Sequence, residues 1–161
     1  MELTVDERFP ECLIGHAGPL AVCVWRGAPT LPALEAFGRC EEQLLEAHPR
    51  ISSLVVVREH KGRAARPDPV VEALEVRLAD VLSPRTVGAA FVVEARGLAG
   101  AIAHGARAKL IPHLSAPNEA FPRVADALQW LARLPGQHPE LYAAPELACD
   151  LELLGRGDRD A

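Results

Sequence analysis

The stretch Ile51-Ser-Ser-Leu-Val-Val-Val-Arg58 decides the fold, because its centre, Leu54–Val57, is a run of apolar and mostly β-branched residues. Such a run, preceded by a proline and followed by a polar segment, is typical of a strand buried on both faces of a sheet. A second run of this kind, Val87–Glu94, follows later in the chain. We expect the two strands to be neighbours at the centre of one sheet. The side chains predicted to be buried there are Val55, Val57, Phe91 and Val93.

Outward from these runs, the sequence predicts three more strands, at residues 11–16, 20–25 and 118–121. Apolar residues at helical spacing predict four helices between and after the strands. Thr30 and Asp68 are residue types that cap helices, and Gly97 and Val124 stand where the third and fourth helices begin. Alternating strands and helices predict an α/β fold with a mixed, mostly parallel sheet of four to five strands covered by about four helices.

Residues 1–136 are predicted to form one domain, and residues 137–161 a C-terminal tail that lies outside the core. Leu147, Leu151 and Leu154 follow helical spacing and would share one face of a short amphipathic segment. A helix this short is not stable alone, so it must dock on its own domain or on another surface. We treat these leucines as candidate partner-binding residues.

Composition limits the function. The 161 residues are the size of one domain, and the net charge of −5 disfavours binding to DNA or RNA. No apolar run has the length of a membrane span, and the acidic start of the chain is unlike a signal peptide. The four cysteines include no CxxC pair, so we expect free thiols and a cytoplasmic location.

Three segments carry a resemblance to a known family: AAFVVEARG (89–97), LAGAIAHGARAKL (98–110) and NEAFPRVADALQWL (118–131). Residues 87–134 resemble the C-terminal half of STAS-like domains of the anti-sigma-factor-antagonist type. The resemblance implies a STAS-like scaffold that binds proteins, nucleotides or lipids without catalysis. Family members that act as phosphorylated switches carry an Asp-Ser motif after a central strand. Here Arg58–Arg63 contains no hydroxyl side chain, so no such switch is expected there.

The first functional hypothesis is a non-catalytic protein-interaction or scaffold module in a regulatory system, whose partner is another protein or a second copy of the chain. The most basic segment, residues 58–66, would dock an acidic or phosphorylated partner. Its candidate residues are Arg58, His60, Lys61, Arg63 and Arg66.

A second hypothesis is a small-ligand or nucleotide-binding domain that uses the start of the third helix. Arg96, Gly97 and Gly100 follow a buried strand, and helix N-termini attract anions. His104, among small residues of the same helix, is a further candidate.

The third hypothesis is an enzyme without a readable motif. The sequence contains no Gly-x-Ser-x-Gly, HExxH or paired-cysteine pattern. We therefore predict no catalytic residue, cofactor or metal ligand.

Overall fold

The strands lie in the sheet in the same order as in the chain. The computed structural model describes residues 1–59, 66–143 and 145–154, which contain six strands and five α-helices. The strands are β1 (Thr4–Arg8), β2 (Cys12–Ala17), β3 (Leu20–Trp25), β4 (Ile51–Val57), β5 (Thr86–Val93) and β6 (Asn118–Phe121). The helices are α1 (Leu31–Ala47), α2 (Pro69–Leu82), α3 (Gly97–Leu110), α4 (Val124–Ala132) and α5 (Pro145–Leu154). Short 3₁₀ turns follow α2 and α3, and Pro139–Ala143 precedes α5.

The sheet is mixed. β1, β2 and β3 pair antiparallel, whereas β3 to β6 pair parallel. The predicted α/β class is confirmed, and β4 and β5 are neighbours, with Val55 opposite Phe91. The predicted number of four to five strands is wrong, because β1 adds a sixth. Its residues, TVDER, are mostly charged and only every second one is half-buried, so they lack the apolar signal of a core strand.

The helices cover both faces of the sheet. α1, α2 and α3 connect parallel strands in sequence, so they lie on one face, as right-handed crossovers require. α4 and α5 pack on the other face, which is filled completely. The central side chains on that filled face, Leu54, Val56, Ala90 and Val92, are all 0% exposed.

The central side chains on the opposite face are less buried than predicted. Val55, Val57, Phe91 and Val93 are half-buried, so the prediction that they are buried is wrong. They belong to the strands that we predicted, but they point toward α1–α3, where the packing is incomplete. An apolar run shows that a strand is central but not whether both of its faces are filled.

The C-terminal segment belongs to the core. Leu141, Leu147 and Leu151 are buried against α4 and the filled face of the sheet, and Leu154 is partly buried there. The buried amide of Gln137 donates to Ser52 Oγ at 2.8 Å and to the Leu131 carbonyl at 2.9 Å. The expectation that residues 137–161 lie outside the core is therefore wrong for the described part. Residues 155–161 lie outside the described residues.

The helix starts follow the sequence signals in part. Asp68 caps α2 as predicted, since its carboxylate accepts from the Val70 N–H at 2.8 Å. Thr30 is the N-cap residue of α1, but its hydroxyl donates to Glu11 instead of capping the helix. Among the described residues, no helix combines the length and apolar character of a membrane span.

We predict that Leu151→Ala lowers the free energy of unfolding by about 2–5 kcal/mol, because it leaves a cavity under α5. Leu151 is 0% exposed, whereas Leu153 on the same helix is 62% exposed. Leu153→Ala is the matched control and should change stability by less than about 0.5 kcal/mol. Urea unfolding measures both. Equal stabilities of the two variants would show that α5 does not pack as described.

Candidate functional site

A cavity of about 350 Å³ lies between the sheet and parts of helices α1, α2 and α3. This volume lies at the small end of the range of pockets that hold drug-sized ligands. The floor is formed by side chains that alternate along the strands with those of the filled face. They are Trp25, Ser53, Val55, Val57, Ala89 and Phe91.

The cavity exists because the side chains of α3 are small. Ala99, Ala103 and Ala106 follow i, i+4 and i+7 spacing, share one helix face and line the cavity. Methyl groups at these positions leave the space between the helix axis and the sheet unfilled. In α3, all of whose residues the structure describes, Gly100 alone is buried. The helix therefore covers the sheet without packing closely against it.

One end of the cavity is at the carboxyl end of the parallel strands. Gly27–Pro29 follow β3, and Arg66–Asp68 precede α2; both segments line the cavity. In open α/β sheets, ligands bind at the carboxyl ends of the strands. The structure thus places this end of the cavity where ligands commonly bind in this fold class.

Two carboxyl groups line the apolar wall. Glu41 of α1 is 7% exposed and accepts a hydrogen bond of 2.5 Å from Ser53 Oγ. Burial raises the pKa of Glu41 to about 7. Glu75 of α2 also has its pKa raised to about 7, by burial and by the nearby Glu72, against the opposing effect of Lys109. Both carboxyl groups are therefore partly protonated near neutral pH. In their protonated, uncharged form they keep the cavity weakly polar.

Arg107 supplies a positive charge at the other side of the cavity. Its Nη2 donates to Asn118 Oδ1 at 2.9 Å, and its guanidinium carbon lies 5.5 Å from the centroid of the Phe91 ring. Its Nε is buried and has no hydrogen-bond partner among the described residues. Arg107 lines the cavity, so it can donate to an acceptor held there.

The strand register fixes the spacing of these polar groups. Ser53 lies opposite Ala89, and Ala89 lies opposite Asn118. Two strand spacings of roughly 4.8 Å put Ser53 and Asn118 about 10 Å apart. Glu41 is hydrogen-bonded to Ser53, and Arg107 is hydrogen-bonded to Asn118. The two charged residues thus lie on opposite sides of the cavity at the same level of the sheet.

The residues predicted for ligand binding lie elsewhere on α3. Arg96 and Gly97 are exposed at its start, where Gly97 has a φ of 60°. Gly100 is buried, and a Cβ there would lie 2.4 Å from the Ala95 carbonyl oxygen. His104 is exposed and is not among the residues that line the cavity. The cavity lies on the other face of the helix, and ligand binding at Arg96, Gly97, Gly100 and His104 stays a prediction.

The predicted partner-binding residues do not form one surface in the described part of the structure. Arg58 is half-buried and bonds to Glu94 Oε2 at 2.8 Å and to the Leu151 carbonyl, so it connects β4 and β5 to α5. Leu147 and Leu151 are core residues, and the expectation that they bind a partner is wrong. Arg66 is exposed and lines the cavity. His60, Lys61 and Arg63 lie outside the described residues.

A second group of polar side chains stands near β1. Asp6, His16 and Cys40 have potential metal-ligand atoms that lie within 4.8 Å of one another. All four cysteines are free, and Cys12, Cys23 and Cys40 are buried. The sequence did not indicate the group near β1, because its members come from three separate elements.

No family model, curated protein or solved structure matches this chain. The resemblance to STAS-like domains accordingly stays a prediction.

We predict that Glu75→Gln stabilises the protein at pH 8 by about 1–3 kcal/mol but not at pH 4.5. A raised pKa means that the folded state resists ionisation of Glu75. Ionised Glu75 therefore destabilises the folded state. This destabilisation is absent below the unfolded pKa of 4.5, grows as the pH rises, and is complete above the folded pKa of about 7. Urea unfolding across this pH range measures it. The control is Glu119→Gln, the same change at an exposed position. A pH-independent difference between Glu75→Gln and the unmodified protein would contradict the assignment.

Proposed function

We propose that this protein binds a small, predominantly apolar molecule carrying one hydrogen-bond acceptor, in the cavity beneath α3. The observation that carries the proposal is the cavity itself, which is lined mainly by apolar side chains of the sheet and of three helices. It corresponds to the second hypothesis from the sequence, a small-ligand-binding domain, but at a different place on α3.

The apolar walls of this space support a ligand. Covering apolar wall area with a ligand is favourable by roughly 25 cal/mol for each Å² removed from water. Water entering the cavity would find few polar partners on its walls. A ligand that fills the cavity recovers the lost packing, so binding and stability should be coupled.

The polar groups define the chemistry of the ligand. Arg107 offers donor N–H groups, and Phe91 beneath it offers an aromatic surface. Glu41 and Glu75 disfavour a second anionic group while they are ionised. A molecule with an apolar body and a single carboxylate or carbonyl group matches this arrangement.

Protein interaction, the other non-catalytic function implied by the STAS-like resemblance, stays a prediction. Of its proposed contact residues in the described part, Arg66 alone is exposed, since Arg58, Leu147, Leu151 and Leu154 contact the protein's own core. We therefore give the cavity priority.

We predict that the neutral fluorescent probe N-phenyl-1-naphthylamine binds saturably to the protein with a stoichiometry of about one. Ala103→Leu and Ala106→Leu should each weaken this binding at least ten-fold, because the added carbons occupy the cavity. Both variants should melt at the same temperature as the unmodified protein or higher, since each buried CH₂ contributes about 0.8 kcal/mol. Probe fluorescence and thermal denaturation are the two measurements.

The matched control is Ala108→Leu, which makes the same change on the exposed face of α3. It should leave probe affinity unchanged. Absence of saturable probe binding, or equal affinities of Ala103→Leu and Ala108→Leu, would contradict the proposal.

We further predict that Arg107→Met weakens competition by decanoic acid about ten-fold or more, while competition by decanol changes much less. A hydrogen bond to a charged group contributes about 1.5–3 kcal/mol, and methionine keeps most of the apolar contact with Phe91. Displacement of N-phenyl-1-naphthylamine measures both competitors. Arg77→Met, which makes the same change at an exposed position of α2 outside the cavity, is the control. Equal effects on the acid and the alcohol would show that Arg107 does not bind the acceptor.

A further inference from the structure

Three potential metal ligands converge at the β1 edge of the sheet. The Nδ1 atom of His16, on β2, lies 2.8 Å from Oδ2 of Asp6, on β1. The Sγ atom of Cys40, on α1, lies 3.7 Å from the same oxygen. These ligand atoms all fall within 4.8 Å of one another. One nitrogen, one sulfur and one oxygen are thus held together by two strands and a helix.

A β-bulge places Asp6 in this group. Val5 pairs with Gly15 and Glu7 pairs with Ile14, which leaves Asp6 without an opposite residue. Neighbouring residues of a regular strand point to opposite faces, but here Asp6 contacts Cys40 and Glu7 contacts Arg39, both on α1. Bulges often redirect a side chain at a functional site. The bulge thus directs the carboxylate of Asp6 toward the Cys40 thiol, while the side chain of Glu7 also faces α1.

Close packing at Gly15 holds the three elements together. A Cβ at this position would lie 2.2 Å from the carbonyl oxygen of Thr4, so any side chain there would push β1 away. The Gly15 carbonyl lies 3.6 Å from the Cys40 sulfur. Two oxygen acceptors, one of them a carboxylate, therefore lie beside the thiol. This negative environment favours a cation next to the sulfur.

We propose that Asp6, His16 and Cys40 bind a Zn²⁺ ion through a carboxylate oxygen, an imidazole nitrogen and a thiolate sulfur. This mixed donor set suits zinc, which accepts all three ligand types in tetrahedral geometry. The Cys40 thiol releases its proton to solvent as the zinc–sulfur bond forms, and no electron transfer is involved. The side chains of His16 and Asp6 are 33% and 34% exposed, so a water molecule can reach the fourth position. The ion would link the edge strand β1 to α1 through Asp6 and Cys40 and so stabilise the packing between them.

Titration of the full, chelator-treated chain with Co²⁺, followed by Zn²⁺ displacement, tests the proposal. Cobalt bound to a thiolate gives a charge-transfer absorption in the near ultraviolet, so the spectrum reports the sulfur ligand directly. We expect one equivalent of Co²⁺, displaced by Zn²⁺, and loss of the absorption in Cys40→Ser. His16→Ala and Asp6→Asn should each weaken Zn²⁺ binding at least ten-fold.

The controls use similar groups elsewhere in the chain. His113 forms a comparable surface pair with Asp80, at 2.9 Å, and Cys149 is an exposed free thiol. His113→Ala and Cys149→Ser should leave both the spectrum and the Zn²⁺ affinity unchanged. His16→Ala keeps the test valid if Cys40→Ser fails to fold, since His16 is partly exposed. Failure to bind one equivalent of metal, an absorption that persists in Cys40→Ser, or equal affinities of His16→Ala and His113→Ala would overturn the proposal.

Discussion

The alternation of side chains along β4 and β5 is the constraint on which the rest of the structure depends. Successive residues of a strand point to opposite faces, so the two central strands supply two surfaces of similar composition. On one side, Leu54, Val56, Ala90 and Val92 are fully buried under α4, α5 and the segment between them. On the other side, the alternating residues border a cavity. Each face of the sheet therefore carries a buried core, but on the α1–α3 face the central residues border the cavity that forms the candidate ligand site.

The sequence predicted the elements with strong local signals. The strand at Leu20–Trp25 and the helix at Gly97–Leu110 occur close to where the apolar pattern and the prolines placed them. β1 was missed because its charged residues become a strand only by pairing with β2. The role of α5 was misjudged for a related reason. Its leucine stripe shows that the helix must dock, but the surface that receives it is assembled from distant segments.

The candidate site was less predictable than the fold. Leu54–Val57 is apolar throughout, so the sequence cannot show that one face is filled and the other is not. The alanines of α3 are consistent with close helix packing as well as with a cavity, and the choice depends on what the neighbouring elements leave unfilled. Asp6 and Cys40 are separated by 34 residues and meet through a bulge, which has no sequence signature here. In each case the sequence shows which residue types are present, but it does not show which of them lie close together in the folded protein.

The different packing of the two faces has a consequence for mutation. Three alanines of α3 line the cavity and are not tightly packed against neighbouring side chains: Ala99, Ala103 and Ala106. A larger residue at one of these positions changes the shape of the cavity without displacing the buried layer beneath α4 and α5. Changes of this kind avoid the stability loss that accompanies most core substitutions. Single mutations in α3 would therefore change the shape of the proposed ligand site while the buried layer under α4 and α5 keeps its packing.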